Sequence, residues 1–500
     1  GITMEKDAGE EFSKGSQKRG FDYYSGHFFI KDFGPLKALA LGDYEIKIGQ
    51  GLIMWSGFGF GKSAFVMDVK KSGPQVKPYT SVNEVKFLRG AATTLGFGNF
   101  SFTAFGSYKA IDGNQVDTDT LNNGPDAVSS FQESGFHRTE AEIEDRHAVK
   151  ETVVGGSVKF SKRHFHLGAT ATHVRFDKPL SKNISLYNKF DFQGDRLSNF
   201  GADYGYLWQN INLFGEVALS DNGGIATVNG VLASLHPSFD VSVVHRYFSR
   251  DYHSRYANAF SESTSTAPRN EQGTFIGITM KPAKKWKLDA YFDVYKHSWL
   301  KFQADAPSRG YDYLAQLTWK PSRKLEMYGR FRSETKRVNA PENETNIDHL
   351  VDERKMSVRY DLRFKPLKGL TLKSRFEVSY FEDGVNEQER GFLIYQDFNY
   401  SALSFPLSFS TRFAIFDTES WDSRIYAYEN DVLYQFSVPA YFDKGMRYYI
   451  VVKWHITRFL DMWVRFAQTN YRDREVISSG LDEIQGNRKS DMKVQVRVKF

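Results

Sequence analysis

Cysteine is absent from the 500 residues, which excludes a disulfide framework and thiolate metal sites and is compatible with passage through an oxidising periplasm. Long apolar runs are missing too. No stretch approaches the ~18 apolar residues of a membrane helix, so a helical membrane protein is excluded. Strong net charge is the third absence: a formal +6 on 57.4 kDa gives no bulk polybasic surface for nucleic acid. Residues 1–10 lack the basic start and apolar middle of a secretory signal, so the chain is expected to be a processed product or a piece of a longer precursor.

What the chain has in abundance is aromatic residues, 16% of the total with 43 Phe and 27 Tyr, alongside 25% charged residues. Mean hydropathy is nevertheless −0.49. Interleaving reconciles the two. In the last ten residues Met492, Val494, Val496, Val498 and Phe500 alternate with Asp491, Lys493, Gln495, Arg497 and Lys499. Strand side chains point alternately to opposite faces, so this segment asks for an apolar medium on one side and water on the other. A terminal strand of that kind ending on an aromatic marks Val494, Val496, Val498 and Phe500 as the closing and assembly signal of an outer-membrane β-barrel.

From about Leu36 onward, short turns alternate with long polar loops. Bacterial barrels have short periplasmic turns and longer extracellular loops, which orients the chain. KPAKKW at 281–286, KPSRKL at 320–325 and KPLKGL at 365–370 repeat one signature after an apolar residue, Met280, Trp319 or Phe364. Proline cannot donate to a ladder, so these mark strand ends and turns on one rim. Met356, Val358, Tyr360, Leu362 and Phe364 are expected to face lipid, as are Leu370, Leu372, Phe376, Val378 and Tyr380 beyond the turn, with Ser374 a polar exception. A slip of one residue would place Arg359 and Arg363 in hydrocarbon. The expected fold is all-β, a single antiparallel up-and-down transmembrane barrel over 1–500. About 22 strands are expected, or 24 depending on residues 422–444. Long loops fall at about 51–86, 111–151, 177–196, 250–272 and 472–490, with a short helix within 139–150.

Local motifs carry little chemistry. GFGFGKS at 57–63 imitates a phosphate loop, but the glycine that a Walker A motif requires falls on Ser56 and no helix follows; the glycines read as loop flexibility. Asp112, Asn114, Asp117 and Asp119 offer oxygens to calcium without the EF-hand's final Glu, and read better as a solvated acidic loop. His137 and His147 fall in one extracellular loop, whereas His164 and His166 are expected to share one face of a strand beside a periplasmic turn, so a shared zinc site is not expected. No nucleophile signature of the GxSxG type appears in a suitable context. No catalytic residue, metal site or cofactor is therefore assigned.

Inward-facing charge is the functional clue. Arg330, Arg332, Lys355, Arg359, Arg363, Lys373, Arg375, Lys453, Arg465, Lys493 and Arg497 are expected to line the lumen, against fewer acids: Glu326, Glu334, Asp361, Glu377, Asp461 and Asp491. Cross-strand pairing would neutralise part of this wall, leaving an anion-leaning remainder.

GDYEIKIGQGLIMWSGFGFGKS from Gly42, GFHRTEAEIEDR from Gly135, HSWLKFQADAPSRGYDYLAQ from His297 and SSGLDEIQGNRKSDMKVQVRVKF from Ser478 resemble the barrel region of the Bacteroidetes-type helix-hairpin-helix-domain-containing outer-membrane proteins. The resemblance runs over nearly the whole chain. It implies a Gram-negative outer-membrane location and places the name-giving domain upstream of Gly1; nucleic acid enters as a partner only through the family's analogy to DNA-uptake modules. The expected function is a channel or translocation pore. A non-conducting scaffold for periplasmic or surface subunits is the alternative, and an outer-membrane enzyme the third. Expected partners are outer-membrane lipid and lipopolysaccharide, the barrel-assembly machinery and other outer-membrane or periplasmic subunits. A barrel this wide needs a plug, and no compact plug domain is visible, so inward-folding loops, an upstream domain or a partner must close it unless the pore is open.

Overall fold

A computed structural model describes residues 1–18, 20–57, 59, 61–117, 126–263, 267–341 and 347–499. Among the described residues, twenty-five strands belong to one up-and-down sheet, antiparallel apart from a single parallel bridge between Leu180 and Val128. Three of them are short additions of three to five residues, Val76–Pro78, Gly113–Val116 and Ala127–Phe131. The others are the four-residue Ile2–Glu5 and strands of ten residues or more, long enough to cross a bilayer when tilted. The chain forms two compact units, Gly1–Gly277 with Asp293–Arg309, and Ile278–Phe292 with Gly310–Phe500.

In the second unit, Leu325–Asn339, Leu350–Phe364, Leu370–Glu382, Glu389–Ser401, Leu407–Thr418, Lys444–His455, Leu460–Tyr471 and Arg488–Val498 pair in chain order. Each Lys-Pro segment is a tight turn, and the turns are joined edge to edge. Lys320 N–H donates to the Lys285 carbonyl and Lys365 N–H to the Lys324 carbonyl, both at 2.8 Å. Trp286 and Trp319 stack at 5.7 Å beside them. The same rim continues through Ser401 on Gly369, His455 on Pro406 and Lys499 on Phe459. Gly369 is needed there: its φ is +84°, and a Cβ would lie 2.3 Å from the Ser401 carbonyl oxygen.

The two faces of this sheet are inverted relative to a water-soluble protein. Val358, Phe376, Ile394, Phe413 and Ile415 are 45–48% exposed on one face, whereas Glu377, Asp397, Arg412 and Arg465 are 2–4% exposed on the other. Ser374, the polar residue in the apolar row, donates its hydroxyl to Gln396, its cross-strand partner. Residues 422–444 do not add strands to the main sheet. Ile425–Tyr426 pairs with Ala440–Tyr441 as a separate two-stranded ribbon.

The first unit shows the same inversion. In Ile211–Ser220, Val217 and Leu219 are exposed while Phe214, Glu216, Ala218 and Ser220 are buried. The covering material is the chain itself. Segments 47–57 and 61–75, most of which the sequence places in a polar loop at 51–86, cover the buried face, with Leu52, Ile53, Met54, Val66 and Val69 excluded from solvent. Glu216 accepts the backbone N–H groups of Gln50 and Leu52, and Ser242 donates to the Val66 carbonyl at 2.6 Å. Residues 252–258 buttress this segment: Tyr252 donates to the Leu52 carbonyl and Asn258 N–H to the Gly51 carbonyl, both at 2.8 Å. The glycines here serve close packing rather than flexibility. A Cβ on Gly51 (φ +81°) would lie 2.6 Å from the Asn258 carbonyl oxygen, and one on Gly57 (φ +111°) 2.9 Å from the Glu45 carboxylate.

The remaining long loops carry local structure. The expected helix is the five-residue Glu140–Glu144, started by a reciprocal cap between Thr139 and Glu142. It stops early because the chain turns at His147 (φ +55°) into a strand that begins at Val149. The loop at 472–490 folds as a small hairpin, Val476–Ile477 with Ile484–Gln485.

In the last strand, Arg488–Val498, the valines 494, 496 and 498 are 53–58% exposed. Its partner is Leu460–Tyr471, and among the described residues no ladder occupies its other edge. Phe500 lies outside the described residues. Arginine at Val494 or Val496 should cost about 2–4 kcal/mol of folding free energy in lipid vesicles, and far less at Gln495. Equal losses at the three positions would show that the faces are assigned wrongly.

Candidate functional site

The buried face of the second unit is a wall of arginines and carboxylates whose partners are set by strand register. Arg359 lies opposite Glu377 and makes a two-pronged pair at 2.8 Å for each bond. Arg375 lies opposite Asp361 and donates at 3.0 Å. Arg412 lies opposite Asp397, with bonds of 2.6 and 2.9 Å. Arg332 reaches diagonally to Asp312 at 2.9 and 3.1 Å, while Arg497 lies directly opposite Asp461, which also takes Lys499 at 2.8 Å. Aromatic rings fill the gaps between guanidinium groups. Arg412 lies 3.5 Å from the centroid of Tyr395, which Arg375 approaches at 5.1 Å, while Tyr449 lies 5.6 Å from both Arg412 and Arg465.

A hairpin formed by residues 420–443 docks onto this wall. Its apolar side, Ile425, Ala427 and Tyr441, packs with Leu393, Tyr395, Ala414, Phe416 and Tyr471 of the strands. Its polar side carries two fully buried carboxylates. Glu429 accepts from Arg447 at 2.7 and 2.9 Å, from Arg465 at 2.6 Å and from Tyr441 at 2.7 Å. Asp431 takes Lys493 at 3.0 Å and stands 3.7 Å from Arg465. Burial alone would raise the Glu429 carboxyl; the Arg447 bond and charge, with Tyr441 and Arg465, outweigh it and hold the group below the ordinary carboxylate range. Further out, Lys355 donates to the Asp422 carbonyl at 2.8 Å and Asn430 donates to Asn399 at 3.0 Å.

Of the residues that the sequence assigns to the lumen, Arg332, Arg359, Arg375, Arg465, Lys493 and Arg497 are thus neutralised by carboxylates. Arg330 instead bonds Gln316 through two donors at 2.6 and 2.8 Å. Lys453 lies over the Trp463 ring at 5.4 Å. Among the described residues, Arg363, Lys373 and Lys453 make no hydrogen bond or ion pair to a carboxylate. Arg363 and Lys373 are direct cross-strand partners next to the 365–369 turn. Arg330, directly opposite Arg359, also has no carboxylate partner, so uncompensated positive charge lies both beside Arg359 and toward the short-turn rim.

Arg412, Arg447, Asp312, Asp397, Glu429 and Asp431 complete the wall and escaped the sequence reading. The strands holding Asp397 and Arg412 have apolar residues on both faces, because the hairpin packs on Leu393, Ala414 and Phe416, and this hides the period of two. Inward apolar residues at neighbouring strand ends were the available sign that something docks there.

The weaker motifs find separate partners. Lys62 pairs with Asp293 at 3.2 Å; Phe58 and Phe60 lie outside the described residues. Asn114 bonds Ser130 and Gln132 and Asp112 turns to His137, so among the described residues these two oxygen donors are engaged separately; Asp119 is outside the described residues. His166 faces Asp203 at 3.5 Å, and His137 and His147 both contact Asp112.

Comparison with protein-family models and with curated proteins gives no match. Among solved structures, the chain is similar to the siderophore receptor PirA from Acinetobacter baumannii, with 9% identity, a TM-score of 0.46, and 84% of this chain and 73% of that one covered. It is similar to a mutant of the ferric enterobactin receptor PfeA from Pseudomonas aeruginosa at 7% identity and a TM-score of 0.44, covering 83% and 71%. For OccAB3 from Acinetobacter baumannii the values are 13%, 0.33, 69% and 92%. The fold stands on the strands and registers described above.

Glu429→Gln should leave Arg447 and Arg465 short of their shared charge, costing the docked hairpin about 3–5 kcal/mol. Limited proteolysis of the folded protein should then cut within residues 420–443 faster than in the parent chain. Unchanged cleavage would mean that this clamp does not hold the hairpin.

Proposed function

We propose that the chain is an outer-membrane β-barrel whose strands cross the bilayer, and that it serves as a channel or translocation pore for anionic solutes, held shut by its own inserted segments. The carrying observation is the inverted sheet. Rows of exposed valine, isoleucine and phenylalanine form an apolar surface far larger than a soluble protein leaves bare, and the opposite face is charged. An anion preference is supported by Arg330, Lys355, Arg363, Lys373 and Lys453, wall cations without a carboxylate partner among the described residues. Fixed charge in a confined passage raises the local concentration of counter-ions. Outer-membrane lipid and lipopolysaccharide would contact the apolar rows, and the barrel-assembly machinery would read the Arg488–Val498 strand.

A scaffold reading has one specific observation in its favour, the docking of residues 47–57, 61–75 and 420–443 on the buried faces of their units. Planar bilayers separate the two. A channel should conduct with anion preference, more strongly after residues 420–443 are replaced by a short linker. The double change Arg363→Glu and Lys373→Glu should move the reversal potential towards cations, whereas Arg359→Glu should mainly damage folding because it breaks the pair with Glu377. Correctly folded protein that stays silent with and without the hairpin would leave the scaffold reading in place.

A further inference from the structure

A second cluster of buried ionisable groups lies in the first unit, built entirely from non-strand residues. Glu10, Asp22 and His137 are all buried, and one ligand atom from each falls within 4.8 Å of the others. His137 is fixed on three sides. Its backbone N–H donates to Glu10 Oε1 at 3.0 Å, its Nε2 is 3.0 Å from Asp112 Oδ2, and its Nδ1 is 3.4 Å from Asp22 Oδ2. Asp112 is itself held, accepting the His147 N–H on Oδ1 at 2.8 Å. Glu10 is held as well, with Oε2 accepting the Asp7 N–H at 3.1 Å.

Two features are hard to explain as a closed hydrogen-bond network. The Asp22 carboxylate is completely buried, yet its Oδ1 accepts no hydrogen bond. A buried acceptor left unmet costs about 1–3 kcal/mol, more when charged. Moreover, Glu10 and Asp22 bring carboxylate oxygens within 4.8 Å of one another, and a cation between two like charges that close offsets their repulsion. Arg146 spends its NH2 on the Asp22 carbonyl at 2.8 Å, not on the carboxylate, which leaves the His137 imidazole as the basic group facing it.

We propose that Glu10, Asp22 and His137 bind a divalent transition cation of the zinc class, with Asp112 as the carboxylate that orients the imidazole. Histidine ligands characteristically give their second ring N–H to a carboxylate, which is the arrangement at Nε2, and this leaves Nδ1 directed at Asp22 as the donor atom. One imidazole nitrogen and two carboxylate oxygens form a three-ligand set that suits zinc with a water in the remaining position. Ligands about 2.0–2.2 Å from an ion are about 3.5 Å apart in a tetrahedron, so the cluster needs a modest contraction to close. A divalent ion balances the two carboxylates with the imidazole neutral. Entry is provided by a cavity of about 770 Å³ lined by Asp22, Glu84, Asp112, His137 and Arg146. Occupied, the site would tie the N-terminal segment and the start of the Tyr23–Phe33 strand to the loop that holds His137.

The test uses the whole chain, purified in detergent without an affinity tag, stripped with chelator and titrated with Zn²⁺ alone. One equivalent should bind tightly, and X-ray absorption at the zinc edge should report one nitrogen with oxygen neighbours. His137→Ala and Asp22→Asn should abolish that equivalent. Asp112→Asn should weaken it about 10–100-fold, the usual effect of removing an orienting partner. His166→Ala, at the imidazole facing Asp203, should leave it unchanged. Should the ligand variants fail to fold, judged by β-sheet circular dichroism, the stoichiometry and absorption spectrum of the parent chain decide alone. Absence of a bound equivalent in the folded parent, a spectrum without nitrogen, or full binding by folded His137→Ala would overturn the proposal.

Discussion

Every second side chain in these strands points into a space where an unpaired arginine is expensive, and every other one points to a medium that must be apolar. Register joins the two demands. Arg359 meets Glu377, Arg375 meets Asp361 and Arg412 meets Asp397 because each pair sits at directly opposed positions of neighbouring strands. A slip of one residue would expose all of these charges to the apolar side and bury Val358, Phe376 and Phe413 against carboxylates. Charge pairing and apolar exposure are thus consequences of a single alignment.

A charged wall of this kind attracts water unless something covers it, and the two units are covered differently. In the first, residues 47–57 and 61–75 approach so closely that glycines are required where backbone meets backbone. In the second, residues 420–443 bring Glu429 and Asp431 to Arg447, Arg465 and Lys493, so the cover is locked by the same chemistry that builds the wall. Buried carboxylates pair with Arg447, Arg465 and Lys493 at the hairpin, whereas Arg363 and Lys373 face one another beside the 365–369 turn. The buried carboxylates make the hairpin the electrostatically costly element to move.

The cluster around His137 obeys a different logic. None of its members sits in a strand, and they come from segments distant in sequence. Loops carried on a rigid sheet can converge in this way without disturbing strand register, which is why sites collect on them.

The sequence by itself determined the strand class, the position of the Lys-Pro turns, the alternation of faces on either side of the 365–370 turn, and the apolar row that ends in Val498. All of these follow from a period of two and from proline's missing donor, properties read within a dozen residues. The five-residue helix at Glu140–Glu144 was legible for the same reason, since its cap is local. Only the tertiary structure decided which inward charges cancel, since Asp397 and Glu429 reach their arginines across 15 to 36 residues of chain. It alone also decided that residues 47–57, 61–75 and 420–443 turn inward. A polar, glycine-rich loop and a buried cover have the same composition when the surface being covered is itself polar, and what separates them is the set of distant partners that each side chain meets.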